Sequence, residues 1–456
     1  MIRLCRFTLI KMFHNIRFKK HLTTFQSIFL GFFSIILIGS LLLMLPISSV
    51  TGKVTPFNES LFTATSAVCV TGLVVQDTGS YWSAFGQAII LLLIQIGGLG
   101  VVTVAASFAL LSGRKISLMQ RCTMQEAIAA PKVGGIVRLT GFILKATLIF
   151  ELSGAVIMMP VFCKNFGIKG IWLAVFHSVS AFCNAGFDIL GSDDSKYVSL
   201  MQYSDCISVN LAVIALIIIG GIGFLTWEDI YTNKFHVKRY RMQSKVILVT
   251  SAILVFVPAL YFFFFDLTDL PLKERTLASI FQSVTTRTAG FNTVDLTTLK
   301  TPSVAIMIAL MIIGGSPGST AGGIKTTTVA VLFANAWATF GRKDSAHFFK
   351  RRIDNQIVKN ASTILLLYFV LSFFGAIAIS TAEKLPFSQC LFETASAVGT
   401  VGLTLGITPG LGIFSQMILI ILMFCGRVGG LTLIYAAISN INKNMSKYPL
   451  ERITVG

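Results

Sequence analysis

The chain has 456 residues, of which 54% are hydrophobic and 12% charged, whereas soluble proteins carry about 25% charged residues. This composition excludes a disordered chain and argues against a soluble enzyme, whose surface would need far more charge. The formal net charge is +18. We interpret it as basic residues held on the cytoplasmic side of a membrane; the competing interpretation is a basic face that binds nucleic acid or phosphate.

Eight apolar segments recur along the chain, and each is long enough to cross about 30 Å of hydrocarbon as a helix. The predicted spans are Phe25–Pro46, Phe85–Leu111, Thr140–Val161, Ile207–Leu225, Val246–Phe265, Val304–Phe340, Ser362–Ile379 and Phe414–Ile438. The sixth and eighth are longer than a crossing needs and contain glycine clusters, so we expect broken or tilted helices there. The basic N-terminus lacks the cleavage pattern of a signal peptide, so the first span is expected to remain in the mature protein.

Basic residues are distributed unevenly between the two sets of loops. One set of alternate loops, with both termini, holds 25 of the 37 Lys and Arg residues, and the opposite loops hold eight. This asymmetry predicts that both termini lie in the cytoplasm. The eight cysteines are scattered without a CxxC pair, so we expect free thiols and neither a disulfide nor a metal site.

A shorter segment between the two spans of each pair occurs in four similar copies. The copies are Phe62–Gly72, Phe176–Gly186, Phe281–Gly290 and Phe392–Gly402. Each begins with about ten amphipathic residues, too few to span and too apolar for an exposed loop, which favours a re-entrant helix. A glycine turn follows, and non-helical backbone is tolerated at membrane depth only when protein buries it or it lines a water-filled cavity.

Each repeat should therefore consist of a span, a pore helix, a glycine turn and a second span. Two crossings return the chain to the side where it started, so all four repeats are parallel, and we predict an all-α membrane protein with a pseudo-fourfold axis. Carbonyls of the converging turns could replace the hydration shell of a monovalent cation, aided by the negative ends of the pore helices near Val68, Phe182, Thr286 and Val398. The alternative is that the glycines only permit close helix packing.

With these four pore-loop repeats, the sequence resembles the Trk/Ktr/HKT superfamily of potassium transport proteins, and most closely the bacterial Ktr membrane subunit. The resemblance extends from about Phe25 to Ile438 and implies the following filter residues. They are Val70, Thr71, Gly72, Asn184, Ala185, Gly186, Thr288, Ala289, Gly290, Thr400, Val401 and Gly402. The third copy is one residue shorter and places Arg287 beside the filter, which departs from fourfold symmetry. With one matched glycine per repeat, selectivity against sodium is expected to be softer than in a tetrameric potassium channel.

The sixth span contains five glycines and a proline within ten residues, a composition that disfavours a helix interior. The segment consists of Gly314, Gly315, Ser316, Pro317, Gly318, Ser319, Thr320, Ala321, Gly322 and Gly323. The resemblance implies an intramembrane gating loop here, on the cytoplasmic side of the filter; a helix kink is the alternative. Arg427 in the eighth span needs a partner at membrane depth, and we expect its guanidinium to bond carbonyls of this loop. Lys325 is either a second such latch or a snorkelling residue.

Three further polar residues lie inside predicted membrane segments. Glu151 is either part of a proton relay or a structural partner of backbone or hydroxyl groups. Glu393 is predicted to open the fourth pore helix, where an acidic residue favours the helix dipole. His177 holds the same position in the second pore helix, and we interpret both as structural. No P-loop, HExxH or GxSxG motif occurs in the chain, so no enzymatic activity is predicted.

The predicted function is potassium uptake through a gated, channel-like pore in the bacterial plasma membrane, with sodium as another candidate ion. The alternative is an alternating-access carrier coupled to sodium or protons. No cofactor is expected in the chain. The resemblance implies a homodimer regulated by a cytosolic nucleotide-binding ring, with membrane lipid as surroundings and no nucleic-acid partner. The predicted division of the chain is a basic N-terminus (1–24), pore repeats 25–115, 116–240, 241–345 and 346–440, and a C-terminus (441–456).

Overall fold

The computed structural model describes residues 23–111, 116–128, 130, 132 and 134–430. The predicted N-terminal segment up to residue 22, the predicted C-terminal segment and the end of the eighth predicted span lie outside these residues. Within them, the protein is a membrane-type helical bundle. Its one small sheet is a hairpin of β1 (His347–Phe348) and β2 (Arg351–Arg352), in which His347 pairs with Arg352.

The first two repeats share one order of elements: a long outer helix, a short pore helix and an inner helix that is broken in two. In the first repeat these are α1 (Thr24–Leu43), α2 (Phe57–Val68), the one-turn α3 (Thr78–Tyr81), α4 (Ala84–Leu99) and α5 (Val101–Leu111). The second repeat adds a preceding helix and consists of α6 (Leu118–Ile128), α7 (Ile136–Phe166), α8 (Lys169–Phe182), α9 (Ile207–Gly221) and α10 (Phe224–Asn233).

The third repeat keeps this order, and the fourth keeps it as far as the described residues extend, which is to the first part of its inner helix. The third consists of α11 (Met242–Tyr261), extended by a π-helical turn (Phe262–Asp266), then α12 (Leu272–Thr285), α13 (Thr301–Ile312) and α14 (Thr326–Phe340). The fourth consists of α15 (Asn355–Glu383), α16 (Phe387–Gly399) and α17 (Ile413–Val428). Single 3-10 turns occur at Pro46–Ser48, Met201–Tyr203, Val237–Arg239, Leu296–Thr298 and Thr408–Gly410.

Every repeat contains one outer helix that is long and apolar enough to cross a membrane. The described residues contain four such helices, namely α1, α7, α11 with its π turn, and α15. The pairs α4–α5 and α9–α10 qualify as two further crossings if each bent pair counts as one, and the shorter α13 and α17 are also apolar. By length and composition, each of the eight predicted spans therefore contains an apolar helix.

The bends in the second and fourth predicted spans were not anticipated from the hydropathy pattern. Helices α4 and α5 meet at 98°, and so do α9 and α10. Gly100 and Gly223 lie at these two junctions with φ of +85° and +90°, a backbone region that glycine enters without steric cost. Gly429 ends α17 with nearly the same angle, +91°, so three inner helices stop at an equivalent glycine.

The pore helices begin earlier than predicted, because their first turns precede the repeated sequence motif. They have 12 to 14 residues, about 18–21 Å at 1.5 Å per residue. The phenylalanine that opens each motif therefore lies within a helix, and all four are fully buried (Phe62, Phe176, Phe281 and Phe392). Burying each such side chain contributes about 2–3 kcal/mol, which fixes the pore helices between the outer and inner helices.

Candidate functional site

The four glycine turns that follow the pore helices share one backbone conformation. Every glycine has a positive φ: +90° at Gly72, +69° at Gly186, +78° at Gly290 and +92° at Gly402. The residue two positions earlier is also left-handed in every copy (Val70, Asn184, Thr288 and Thr400), with φ between +50° and +70°. Valine and threonine rarely adopt such angles, so the surrounding fold imposes them, and the shorter third copy conforms as well.

The four glycines face one another in a closed ring. A methyl group built on Gly72 would lie 2.6 Å from the carbonyl oxygen of Ala185, and one built on Gly186 would lie 2.7 Å from that of Ala289. The series continues from Gly290 to the carbonyl of Val401 and from Gly402 back to that of Thr71. Each repeat therefore contacts the next in chain order and the fourth contacts the first, which is the pseudo-fourfold arrangement that the sequence predicts. Only glycine leaves room for the ring.

A hydroxyl behind each turn holds it in place, and sequence reasoning missed these residues. The Oγ atoms of Ser66 and Ser396 accept hydrogen bonds from the amides of Gly72 and Gly402 at 3.1 and 3.0 Å. Ser180 instead donates to the carbonyl of Phe187, at 2.8 Å. Thr285 makes the corresponding bond to the carbonyl of Phe291 in the third repeat. The signal was present, because all four aligned motifs carry Ser or Thr at this position.

The glycine-rich segment between α13 and α14 leaves the helix, as predicted. Helix α13 ends at Ile312 and α14 begins at Thr326, and the amide of Gly314 bonds the carbonyl of Ile324 at 2.9 Å to close the neck of the loop. Ser316 and Thr320 are fully buried. Because buried backbone groups need partners, the loop can occupy this position only where a neighbouring repeat supplies them.

The second repeat supplies those partners at its inner-helix bend. The amides of Ser316 and Thr320 donate to the carbonyls of Gly221 and Gly220, at 2.9 and 3.2 Å. In return the amide of Phe224 donates to the carbonyl of Gly318 at 2.7 Å. The Thr320 hydroxyl also donates to the carbonyl of Phe182, the last residue of a pore helix, at 3.1 Å. The bend between α9 and α10 thus exposes carbonyls that a continuous helix would have used internally.

The other side of the loop rests on the fourth repeat, directly beneath its glycine turn. Gly322 is in contact with the hydroxyl of Thr400, and a methyl group built on Gly323 would lie 3.1 Å from the carbonyl of Gly399. The loop therefore lies across the axis between the second and fourth repeats, on the side of the ring where the pore helices end.

Arg427, which was predicted to bond the loop, does so, and Lys325, for which a second latch and a snorkelling residue were both left open, bonds the loop as well. Arg427 donates one hydrogen bond to the carbonyl of Thr320 and others to the carbonyls of Gly97 and Gly98, the last at 3.0 Å. The bonds to Gly97 and Gly98 were not foreseen, and they join the loop to the bend of the first repeat. Lys325 donates to the carbonyl of Ala321 at 2.8 Å, so its ammonium contacts the loop and does not snorkel.

Arg287 and Glu151 both lie away from the axis of the ring. The guanidinium of Arg287 reaches Ser251 on the outer helix α11 at 3.2 Å, so it points away from the turn beside which it stands. Glu151 on α7 accepts a hydrogen bond from the side-chain amide of Gln95 on the first inner helix at 3.3 Å, whereas the structural alternative expected a backbone or hydroxyl partner.

The predicted position of Glu393 is wrong. It lies in the middle of α16, fully buried, and its carboxylate accepts from Thr408. The true first turn of this helix starts at Phe387, six residues earlier, so the helix dipole does not explain an acid at Glu393. His177 likewise lies inside α8, where Nδ1 is 2.8 Å from the carbonyl of Leu173.

Four parallel span–pore helix–span repeats around an axial ring of glycine turns define a pore-loop membrane transport protein. The comparisons place the chain within that class: the model of the family described as "TrkH: Cation transport protein" matches residues 14–447. The chain belongs to this family of cation transport proteins, and it is not an enzyme.

Individual relatives agree with this assignment. The chain is 39% identical to the potassium/sodium uptake protein NtpJ of Enterococcus hirae, over 96% of this chain and 99% of that protein. It is 37% identical to the Ktr system potassium uptake protein B of Bacillus subtilis, over 94% and 96% of the two chains. The crystal structure of the potassium transporter TrkH from Vibrio parahaemolyticus matches in fold with a TM-score of 0.72 at 18% identity, over 92% of this chain and 86% of that one.

Proposed function

We propose that this chain takes up potassium across a bacterial plasma membrane through a gated, channel-like pore. The observation that carries the proposal is the closed ring of four glycine turns, each left-handed at the glycine and two residues before it. Alternation of this kind lets successive carbonyls aim toward a common lumen. Oxygens so arranged substitute for the water shell of a potassium ion, which is the step that limits entry into a membrane pore.

The field of the pore helices favours a cation at the same place. Helices α2, α8, α12 and α16 end at the turns, and each helix C-terminus has a partial negative charge of about half an elementary charge before screening. A membrane potential of about −100 mV supplies about 2.3 kcal/mol per imported positive charge. Together these terms permit downhill potassium uptake without a chemical energy source in the chain.

The loop from Gly314 to Gly323 is proposed as the gate, and Arg427 with Lys325 as its latches. The support is geometric: the loop crosses beneath the ring, bonds the second repeat, rests on the fourth and is joined through Arg427 to the first. A guanidinium near the axis also opposes the passage of a cation. Undocking of the loop would remove the steric obstacle, whereas Arg427 would keep its bonds to the carbonyls of Gly97 and Gly98.

Sodium is a second candidate ion, and a carrier coupled to sodium or protons is the alternative mechanism. The observation that favours sodium is the name of the Enterococcus hirae relative, a potassium/sodium uptake protein. The single matched glycine in each turn agrees with a less selective ring. Against alternating access, the four repeats surround one continuous axis and do not form two halves that could rock.

The partners, the orientation and the division into repeats are also proposals. We propose a homodimer in membrane lipid that is controlled by a separate cytosolic nucleotide-binding ring, supported by relatives named as proteins of a Ktr system. Cytoplasmic termini are supported by the excess of basic residues in one set of loops. The proposed repeat boundaries agree with the order of the described helices.

Ion uptake by the purified full-length chain in proteoliposomes tests the function. Under an inside-negative potential, radioactive rubidium should enter and be outcompeted by potassium better than by sodium. Gly290→Ser should weaken this preference, since it crowds the ring, and deletion of residues 315–322 should raise the flux sharply. Folded protein that takes up neither rubidium nor sodium would refute the function. Unchanged flux in a folded deletion variant would refute the gate alone.

A further inference from the structure

A groove on the outer surface of the second repeat lies between α7, the end of α9 and α10. Its volume of about 540 Å³ falls within the range of about 300–1,000 Å³ that is typical of ligand pockets. Most of its lining is apolar, including Ile149, Ile219 and Ile222, and Lys145 is the one charged residue among the described residues that line it. We name this feature the Lys145 groove. Ile149 is exposed, so the groove opens toward the acyl chains of the membrane.

Helix α10 closes one side of the Lys145 groove with aromatic residues. It leaves α9 at 98°, so it runs nearly parallel to the membrane plane when α9 crosses the membrane. Tyr231 and Trp227 of α10 contact Phe142 and Phe150 of α7, with ring centroids 5.3 and 5.5 Å apart. Tyrosine and tryptophan are enriched where the hydrocarbon meets the lipid headgroups. The groove therefore lies at a membrane–water interface, and Lys145 lies between the two phenylalanines in the chain.

The length of α7 places Lys145 at the level of the headgroups. The helix has 31 residues, which span about 46 Å at 1.5 Å per residue, whereas the hydrocarbon core is about 30 Å thick. Lys164, in the last turn of α7, lies about 28 Å from Lys145 along the helix. The two lysines therefore fit at the two boundaries of the hydrocarbon, with Lys145 on the side where the loop lies.

The ammonium of Lys145 has no counter-ion among the described residues. Its side chain is exposed, and it forms neither a hydrogen bond nor an ion pair with any of them. The acids of the adjacent helix α10, Glu228 and Asp229, pair with Arg241 at 2.6 and 3.6 Å, and Glu151 of α7 is buried. An unpaired cation at the edge of the hydrocarbon is costly. The anion available at that depth is the phosphate of a lipid.

We propose that the Lys145 groove binds an anionic phospholipid of the inner leaflet, with the phosphate on Lys145 and one acyl chain along the apolar wall. The charge of Lys145 selects a lipid with a net negative charge, because the choline of a zwitterionic lipid cancels the charge of its phosphate. The inference goes beyond the proposed transport function, and it does not depend on which ion the protein carries.

The Lys145 groove lies behind the bend on which the loop docks. Ile222 lines the groove, and two residues later the amide of Phe224 donates to the carbonyl of Gly318 on the loop at 2.7 Å. The indole of Trp227, also in the groove, donates to the carbonyl of Ile219 at 2.8 Å, across the bend. A lipid in the groove packs against this bend and restricts the motion of α10 relative to α7 and α9.

Three probes test the site on the purified full-length protein. Dioleoyl-phosphatidylglycerol is an anionic lipid, dioleoyl-phosphatidylcholine is a zwitterionic lipid with the same acyl chains, and glycerol phosphate is an anion without acyl chains. The first measurement is the melting temperature in detergent at increasing concentrations of each probe. The second is hydrogen exchange of the α10 amides in nanodiscs of phosphatidylcholine, with and without phosphatidylglycerol.

Three substitutions accompany these probes. Lys145→Gln removes the charge at nearly constant length, and Lys145→Arg keeps it. The matched control is Lys164→Gln, because Lys164 is also an exposed lysine of α7 but lies in the last turn of that helix, away from the groove.

We expect phosphatidylglycerol to raise the melting temperature and slow exchange of the α10 amides, and the other two probes to do neither. Lys145→Gln should raise the half-stabilising concentration of phosphatidylglycerol about tenfold, as loss of one charge-assisted contact implies. Lys145→Arg and Lys164→Gln should keep the wild-type value.

A folded Lys145→Gln variant with the wild-type value would overturn the site. On the wild-type protein alone, equal stabilisation by phosphatidylcholine or by glycerol phosphate would also overturn it, and so would α10 exchange that phosphatidylglycerol leaves unchanged. These last outcomes decide the matter even where Lys145→Gln does not fold. None of the measurements involves ion flux, so refutation of the lipid site leaves the proposed function standing, and absence of rubidium uptake leaves the lipid site standing.

Discussion

The latch made by Arg427 yields the sharpest test of the proposed gate. Its guanidinium bonds the carbonyl of Thr320 on the loop and the carbonyls of Gly97 and Gly98 on the first inner helix. A hydrogen bond to a charged group contributes about 1.5–3 kcal/mol. Since only the bond to Thr320 holds the loop itself, Arg427→Ala should shift the closed–open equilibrium toward open by about tenfold to hundredfold.

The assay is rubidium uptake into proteoliposomes, with single-channel recording where currents permit. Arg427→Ala also removes a positive charge from the axis, which would raise cation flux without any latch. Arg427→Lys separates the two effects, because lysine keeps the charge but cannot reach carbonyls of two repeats with a planar fork of donors. The latch predicts elevated flux for both variants, whereas a purely electrostatic barrier predicts wild-type flux for the lysine variant.

Arg287→Lys is the matched control for that substitution. Arg287 is also a buried arginine and lies beside a glycine turn, but it bonds Ser251 on an outer helix and not the loop. Arg287→Lys should therefore leave the rubidium flux unchanged. If Arg427→Lys and Arg427→Ala, both folded by melting temperature and size-exclusion profile, conduct like the wild type, the assignment of Arg427 as a latch is refuted.

The remaining predictions concern the ring and its outer mouth. Gly402→Ala should abolish ion preference, because its methyl group would meet the carbonyl of Thr71. The control is Gly406→Ala, which should cost only stability, because Gly406 also has a positive φ but open space around it. Equal effects of the two substitutions on competition uptake would refute the ring. Ser66→Ala should weaken rubidium preference by leaving the amide of Gly72 unpaired, and a wild-type rubidium-to-sodium ratio would contradict this. Asp188 follows the glycine turn of the second repeat, two residues after Gly186. Burial, followed by the nearby carboxylate of Asp77, raises the pKa of Asp188 to about 7. The carboxyl of Asp188 loses its proton and becomes negatively charged as pH rises, so cation uptake should increase from about pH 6 to about pH 8. Asp188→Asn should flatten this pH profile of uptake, and an unchanged profile in that variant would contradict the role given to Asp188.

Features fixed by local chemistry were predictable from the sequence. The glycines at 72, 186, 290 and 402 marked turns because their spacing repeats, and the turns do meet in a ring. The segment from Gly314 to Gly323 was predicted to leave the helix because five glycines and a proline cannot sustain one, and it does. In both cases a backbone preference of a few residues decided the outcome.

Features that depend on contacts between repeats were not predictable. Hydropathy reports that residues 85–111 are apolar but not that the chain turns by 98° at Gly100. The partners of Arg427 at Gly97 and Gly98 lie about 330 residues away in the chain, and no periodicity connects them. The position of Glu393 was misjudged because the motif begins inside the helix and not at its first turn.

The inner helices show why four repeats in one chain can do what four identical subunits cannot. In three of them, a glycine packs on the carbonyl of one of the last two residues of its pore helix. Another glycine, three residues later, follows the end of the inner helix with a φ near +90°. The position after the first glycine is Gly98 in the first repeat, Gly221 in the second and Arg427 in the fourth. In a symmetric tetramer, an arginine there would place four guanidinium groups around a narrow axis, and their mutual repulsion at low dielectric would be prohibitive. Within a single chain, one arginine can meet the bared carbonyls of the first repeat and of the loop, while glycine elsewhere leaves the space that the loop occupies.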